Sequence, residues 1–480
     1  MAETDEEVAG PAAKAPVEPG RGTDRPAERE TEREEHGLDR ETIDAVLAAV
    51  EAGDHDALVA LLDDLHEADI ADLLEQISRP ERTALMALWG HEVEGAVLSE
   101  LEEGVRDEIV AELPDAVLER AVQDLETDDV VYLAEDMEAP QQQRILRMLD
   151  DVDRAAVERS LQYDEYSAGR LMQREVVVAP EHWTVGDAID FLRAEEWLPE
   201  SFYDLIIVDP HMHPVGLVPL GKLMGSAREV ALRDLMNADF IGLRVDQTTE
   251  DVAYDFNKYH LISAPVTDAD GRLAGVITID DAMEVLEEET EEDMRLLAGV
   301  GDEELSDGVF AIARGRIVWL AVNLCTAILA ASVIAEFSST IQAFVALAIL
   351  MPIVASMGGN AGTQALTVTV RALATRSLSA ANLRRFILRE GLVGLCNGLA
   401  LAAAIGILSG LYFRDPQLGA VIAVAMVGNL VVAGLAGALI PIALEKLGAD
   451  PALASGTFVT TMTDVFGFFA FLGLASIWLV

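Results

Sequence analysis

The chain has 480 residues, 51% of them hydrophobic, and its 33 Lys and Arg stand against 84 Asp and Glu for a formal net charge of −51. A polyanion of that strength repels phosphate and excludes a nucleic-acid partner. Residues 311–480 hold only nine cations and six anions, which leaves 24 cations and 78 anions to residues 1–310; a strongly acidic region therefore precedes a nearly uncharged apolar one, and a wholly soluble protein is excluded.

The predicted elements begin with residues 1–37, rich in Glu, Pro, Ala and Arg, which read as a disordered acidic tail and lack the apolar core of a signal peptide. Residues 38–165 form a helical domain by pattern. Apolar side chains recur at three- and four-residue steps, as in Ile70, Leu73, Leu74 and Ile77, and Pro80, Pro114 and Pro140 punctuate successive helices. The loose repeat of helix, acidic turn and helix suggests a superhelical scaffold with no catalytic motif. Residues 166–280 switch to strands alternating with helices and contain a duplication. Leu171-Met172 matches Leu235-Met236, and the strand pair around Asp209 matches the one around Asp268. This tandem α/β unit resembles a pair of cystathionine-β-synthase (CBS) domains, a regulatory module that usually dimerises.

Residues 281–310 connect the acidic region to the apolar one, starting as an amphipathic helix. Asp281, Glu284, Glu288 and Glu292 share a face at three- and four-residue steps, joined by Glu287, Glu289, Glu291 and Asp293. Like charges at that spacing weaken a helix. Either the face is simply solvated, as a salt-rich cytoplasm would favour in a chain with four lysines, or divalent cations that prefer oxygen, Mg2+ or Ca2+, offset it.

Residues 311–480 contain five stretches of the length a membrane helix needs, about 20 apolar residues: 317–336, 341–370, 391–411, 418–444 and 452–480. Their cations gather before the first stretch and in the loop after the second, so the positive-inside rule places the acidic region in the cytoplasm and the C-terminus outside. Polar residues inside such stretches are functional candidates. The second carries Pro352 and then Gly358, Gly359, Asn360, Ala361, Gly362, Thr363 and Gln364, a composition able to unwind a helix or to pack helices closely. The fourth carries Asn429. The fifth carries Thr460, Thr461, Thr463 and Asp464. Asp464 is either a packed neutral acid, a proton relay or a cation site; no intramembrane Lys or His offers it a counter-charge, which favours the cation. Cys325 and Cys396, the only cysteines, have no spacing that builds a disulfide framework or a thiolate metal site. No phosphate-binding glycine loop, metal-hydrolase His pair or nucleophile elbow is present, so an enzyme is not expected.

Taken in order, these segments make a multi-domain chain. An α-helical superhelical N-terminal domain is followed by an α/β tandem CBS pair, a connecting helix and an all-α five-helix transmembrane domain. The chain resembles the MgtE family of magnesium channels and transporters in four places: 163–172 (YDEYSAGRLM), 290–294 (TEEDM), 357–364 (MGGNAGTQ) and 460–465 (TTMTDV). The resemblance implies a homodimer in the cytoplasmic membrane whose connecting helix acts as a plug and whose pore lies between the two copies. It implies Mg2+ as the ion and ligand, with Asp464, Thr460 and Asn360 along the pore. It also implies regulatory Mg2+ at Asp128, Asp281, Glu284, Glu289, Glu292 and Asp293, and a gating contact at Glu390. Tyr132 stands where the family's helical-domain site tends to have a second acid, and Thr363 where an Asn is often seen. The function implied is Mg2+ uptake under negative feedback from cytosolic Mg2+. Two rivals stand beside it: a proton- or sodium-coupled divalent cation transporter, and a sensor whose CBS pair binds an adenine nucleotide.

Overall fold

The computed structural model describes residues 38–135, 137, 139–195, 197–199, 201–300, 308–452 and 455–479. The tail expected over 1–37 lies outside them. Among the described residues, ten helices follow one another from Arg40 to Ser160 around one apolar core that includes Leu58, Leu73, Leu85, Leu98, Leu118 and Leu133. Polar caps fix where these short helices begin. The Asp39 carboxylate accepts from the Thr42 backbone N–H at 2.7 Å, and Ser78 and Glu81 cap each other reciprocally. The three prolines mark helix starts. Pro80 lies in the first turn of Arg79–Trp89, Pro140 in that of Ala139–Leu146, and Pro114 caps Asp115–Gln123; proline's missing N–H costs nothing in a first turn.

The duplication in the α/β region becomes two three-stranded sheets of the same plan. Strands β1 (Val178–Pro180), β2 (Asp204–Val208) and β3 (Pro214–Pro219) form the first, and β4 (Leu243–Arg244), β5 (Ser263–Thr267) and β6 (Leu273–Thr278) the second. In each, the outer strand runs parallel to the middle one and the last two make an antiparallel hairpin with a register shift near its end. The halves also exchange their leading segments. The Gln173 N–H donates to the Val276 carbonyl at 2.9 Å, and the Leu217 N–H to the Asn237 carbonyl at 3.0 Å. The paired Leu-Met motifs are the hinges of this exchange, because Met172 packs on Gly275 and Met236 on Gly216, where any side chain would collide.

The helix Ile279–Ala298 grows directly out of β6 and leads to the apolar region. Five long helices follow: Val309–Glu336, Ala346–Ala374, Leu383–Phe413, Pro416–Lys446 and Ser455–Trp478, with the short Ser338–Ala343 after the first. Each of the five is long and apolar enough to cross a membrane. The fourth is the hub, packed by the second, third and fifth, and 56% of its most apolar window is buried against 6% for the first. Of the two readings open for the glycine run, packing is the one the structure takes. The second span does not unwind at its glycines; Ala346–Ala374 is a continuous helix through Pro352 and residues 358–364. The glycines instead seat neighbours, since Gly362 receives Val459 of the fifth span, and small residues at a helix interface do this in lipid.

Candidate functional site

The membrane part of the site is built on the second, fourth and fifth spans. On the fifth, Val459, Thr463 and Gly467 recur at four-residue steps and pack inward, the first two against Gly362 and Gly358 and the last against Asn429. Thr460 and Asp464, also four apart, therefore share a different face. Thr460 is exposed and donates its hydroxyl to the Gly456 carbonyl at 2.9 Å, and Asp464 is half-buried. On the second span, Asn360, Thr363, Gln364 and Thr367 form a polar stripe that one copy of the chain leaves uncovered. Among the described residues no hydrogen bond joins Asn360 to Thr460 or Asp464, so the three candidates are placed on open faces but not brought into contact.

Asn429 ties these helices together. It is fully buried, and its Nδ2 donates to the Val354 carbonyl of the second span at 2.9 Å. Gly358 and Gly467 leave room for the amide from two sides, and its Oδ1 has no partner among the described residues. The sequence marked Asn429 as a polar residue at membrane depth. Its role as a three-helix junction follows from the fold.

The soluble part of the site centres on the helix Ile279–Ala298. At its start, Asp281 caps the helix by accepting from the Thr278 N–H and hydroxyl at 3.2 and 2.8 Å. Asp128 and Asp129, from the helix Thr127–Glu135, come to the same place, because Glu175 accepts from Thr127 and Gln173 donates to Glu126, docking that helix on the entry to the CBS pair. Burial, then the charges of Asp281, Asp129 and Glu126, pushes the Asp128 carboxyl well above the ordinary carboxylate range. Burial, with Glu100 and Asp280 next, raises Asp129 to about 6. Asp281 is raised to about 7 by burial, against the opposing bond from Thr278 and with the added charge of Asp280 and Asp129. Glu284 reaches about 7 through crowding by protein atoms and then Glu288 and Asp281, although its side chain still meets solvent. Tyr132 faces the same group, its hydroxyl raised to about 12 by burial and then Glu284, with the Arg106 guanidinium 4.8 Å from its ring centre.

A second acidic group lies two turns and more along the same helix. Burial, followed by Glu250, Glu292, Asp293 and Asp450, raises Glu289 to about 7. Burial, Asp450, Glu250 and Glu292 raise Asp293 to about 6. Glu250 belongs to the CBS helix Thr249–Tyr259 and Asp450 to the loop between the fourth and fifth spans, so this group joins three parts of the chain. Arg376, in the loop after the second span, reaches Asp251 and Glu250 of that CBS helix, and its guanidinium lies 4.5 Å from the Tyr254 ring centre.

Among the described residues no three His, Cys, Asp or Glu side chains stand close enough to hold a bare metal ion. Only a cation that keeps its waters, as Mg2+ does, could meet the carboxylates of either group, through those waters. Past the acids, Leu296 and Leu297 pack against Leu366 and Val370 of the second span, Ala452, and Val459 of the fifth. Glu390 is buried beside the fourth span and held by Arg389 at 3.1 and 3.2 Å, and among the described residues its side chain makes no hydrogen bond to the connecting helix. Sequence reasoning missed Asp129, Asp280, Glu100, Glu250 and Asp450. Asp129 and Asp280 each adjoin a marked acid, Asp128 and Asp281, but Glu100, Glu250 and Asp450 lie on elements that only the fold brings together.

Residues 351–474 match the family model described as the divalent cation transporter MgtE, residues 65–166 the MgtE intracellular N domain, and residues 168–229 and 232–288 the CBS domain. The chain is similar to a magnesium transporter MgtE of Thermus thermophilus, 33% identical over 89% of this chain and 96% of that relative. It is also similar to one of Enterococcus faecalis, 35% identical over 66% of this chain and 70% of that relative. Among solved structures, the cytosolic domain of the Mg2+ channel MgtE in complex with ATP is 28% identical, with a TM-score of 0.47, over 51% of this chain and 99% of that one.

Proposed function

The chain belongs to the MgtE family of divalent cation transporters, and from that premise we propose that it admits Mg2+ across the cytoplasmic membrane and that cytosolic Mg2+ closes it. In this proposal residues 38–165, 166–280 and 281–310 sense the ion and residues 311–480 conduct it, with the acidic region in the cytoplasm and the C-terminus outside. Two copies form the pore. A polar stripe left open at membrane depth has to meet protein or a water-filled path, and a two-fold axis supplies both by facing each stripe and each Asp464 with its counterpart. Asp464 then attracts a largely hydrated Mg2+, with Thr460 and Asn360 as acceptors along the path. An inside-negative potential favours entry by about 4.6 kcal/mol per 100 mV for a divalent ion, twice the figure for one charge.

The observation that carries the gating is the span of one helix. From Asp281 to Leu297 it covers about 24 Å at 1.5 Å per residue, so one rigid element carries both acidic groups and presses its far end on the second and fifth spans. Val459, a member of the apolar cluster on which it packs, lies about 7.5 Å along the fifth span from Asp464 by the same rise. Bound Mg2+ would supply positive charge to carboxylates that otherwise repel. Asp128, Asp281 and Glu284 would hold it at one end, and Glu289, Glu292 and Asp293, with Glu250 and Asp450, at the other. Closure then follows as a population shift, because the ion binds the docked arrangement better than the separated one. Glu390 belongs to this gate through Arg389 and the fourth span rather than by direct contact with the helix. An adenine nucleotide at the CBS pair is a further modulator in the same proposal, tested by ATP-dependent thermal shift of the purified protein.

The test of the gate is the double substitution Asp281→Asn with Glu284→Gln. Reconstituted protein is expected to keep conducting at Mg2+ concentrations that close the wild type; closure at an unchanged concentration would remove these residues from the gate.

A further inference from the structure

We propose that the outward face of the third span is a binding site for an anionic phospholipid of the bilayer. The proposal rests on the reading of the five helices as membrane spans. The helix Leu383–Phe413 has 31 residues, about 46 Å at 1.5 Å per residue, whereas the hydrocarbon core is about 30 Å thick. The excess falls at its first turns, at the end of the bundle nearest the soluble domains. There Arg384, Arg385 and Arg389 line a groove of about 730 Å³ that continues along the same face over Leu388, Leu392 and Val393 and ends at Cys396 and Asn397. The opposite face, with Phe386, Glu390, Gly394 and Gly398, is buried, and Gly394 lies against the fourth span.

Two features identify the occupant. The first is charge. In a chain with 51 excess negative charges, Arg384 and Arg385 are exposed and make no ion pair among the described residues, while Arg389 is engaged by the neighbouring Glu390. Guanidinium groups present paired donors that match two oxygens of a phosphate. The second is the order of chemistry along the helix. Cations stand at headgroup depth and apolar side chains directly beyond them at acyl-chain depth, which is the polarity of a phospholipid. Carboxylates of a second copy would match the arginines but not the apolar continuation.

The experiment uses full-length protein with Cys325→Ser, which leaves Cys396 as the single thiol, labelled with a small environment-sensitive fluorophore. It is reconstituted into phosphatidylcholine vesicles containing phosphatidylglycerol, with bromine on the acyl chains of one lipid or the other, so that quenching reports which lipid occupies the groove. Each cation at an anionic surface contributes about a five-fold preference. Wild-type side chains are therefore expected to favour phosphatidylglycerol by about ten-fold or more. Arg384→Gln with Arg385→Gln should bring the preference close to unity, and Lys446→Gln should leave it unchanged. Equal quenching by the two lipids in the wild type, or a preference that survives loss of both arginines, overturns the proposal. Quenching by neither lipid overturns the membrane span and the site together, whereas equal quenching leaves the span standing.

Discussion

At Asn429 a single amide meets two neighbouring helices at once, donating to the Val354 carbonyl and sitting between Gly358 and Gly467. Interhelical side-chain hydrogen bonds in lipid contribute about 0.6 kcal/mol on average and up to about 1.7, so the bond alone is a modest term. The close fit matters more, because a methyl group at Gly358 would enter the space the amide occupies. We expect Gly358→Ala to lower the unfolding temperature of the detergent-purified protein by more than Asn429→Ala does. The double variant should be more stable than the sum of the two losses, since the collision disappears with the amide; strict additivity would refute the fit. Half of this junction was legible in the sequence. Asn429 stands out as a polar residue in an apolar stretch, and the glycine run stands out as well, but its composition alone allows unwinding as readily as packing. The choice between them is made by Asn429 and Val459 filling the gaps, and those partners come from other helices.

The connecting helix shows the same division at the scale of an element. Its acidic stripe, from Asp281 through Asp293, follows directly from spacing along one helix. Its function as a meeting point does not, because Asp129 and Glu100 come from the helical domain, Glu250 from the second CBS half and Asp450 from a membrane loop. The convergence sets a pH dependence. Carboxyls raised to about 6 or 7 in the docked arrangement hold protons that they release on separation. Docking without divalent cations is therefore supported below the ordinary carboxylate value of about 4, and that support is lost as pH rises through 6 to 7. Spin labels at Glu119 and Glu287, both exposed, in a chain with both cysteines replaced, measure it. In chelator the distance distribution should be short at pH 5 and lengthen by pH 8, and Mg2+ at pH 8 should restore the short one. A distribution indifferent to pH and to Mg2+ would mean that the acids are only a solvated face.

In the whole molecule, the acidic soluble region and the apolar five-helix region meet through contacts that can be weighed one by one. The pair of Arg376 with Asp251 is one, and both side chains are more than a third exposed. Exposed pairs contribute about 0–1 kcal/mol, hence Arg376→Gln should shift the Mg2+ concentration that closes the pathway by less than about five-fold. A larger shift would make this loop a principal latch. The order of parts, the five spans and the duplicated α/β pair were all legible from hydropathy, charge and repeat. The exchanged segments of the CBS halves and the docking of Leu296 and Leu297 on the spans were not, since both depend on contacts between elements far apart in sequence. The central claim is that Mg2+ passes down its own electrochemical gradient along a route that needs Asp464. Its most direct test is Mg2+ entry into liposomes at low lumenal Mg2+, under an inside-negative potential and with no proton or sodium gradient, for the wild type and Asp464→Ala. Entry is expected in the wild type and should be lost in the variant. Entry that appears only when a proton or sodium gradient is added, or that survives loss of Asp464, would contradict it.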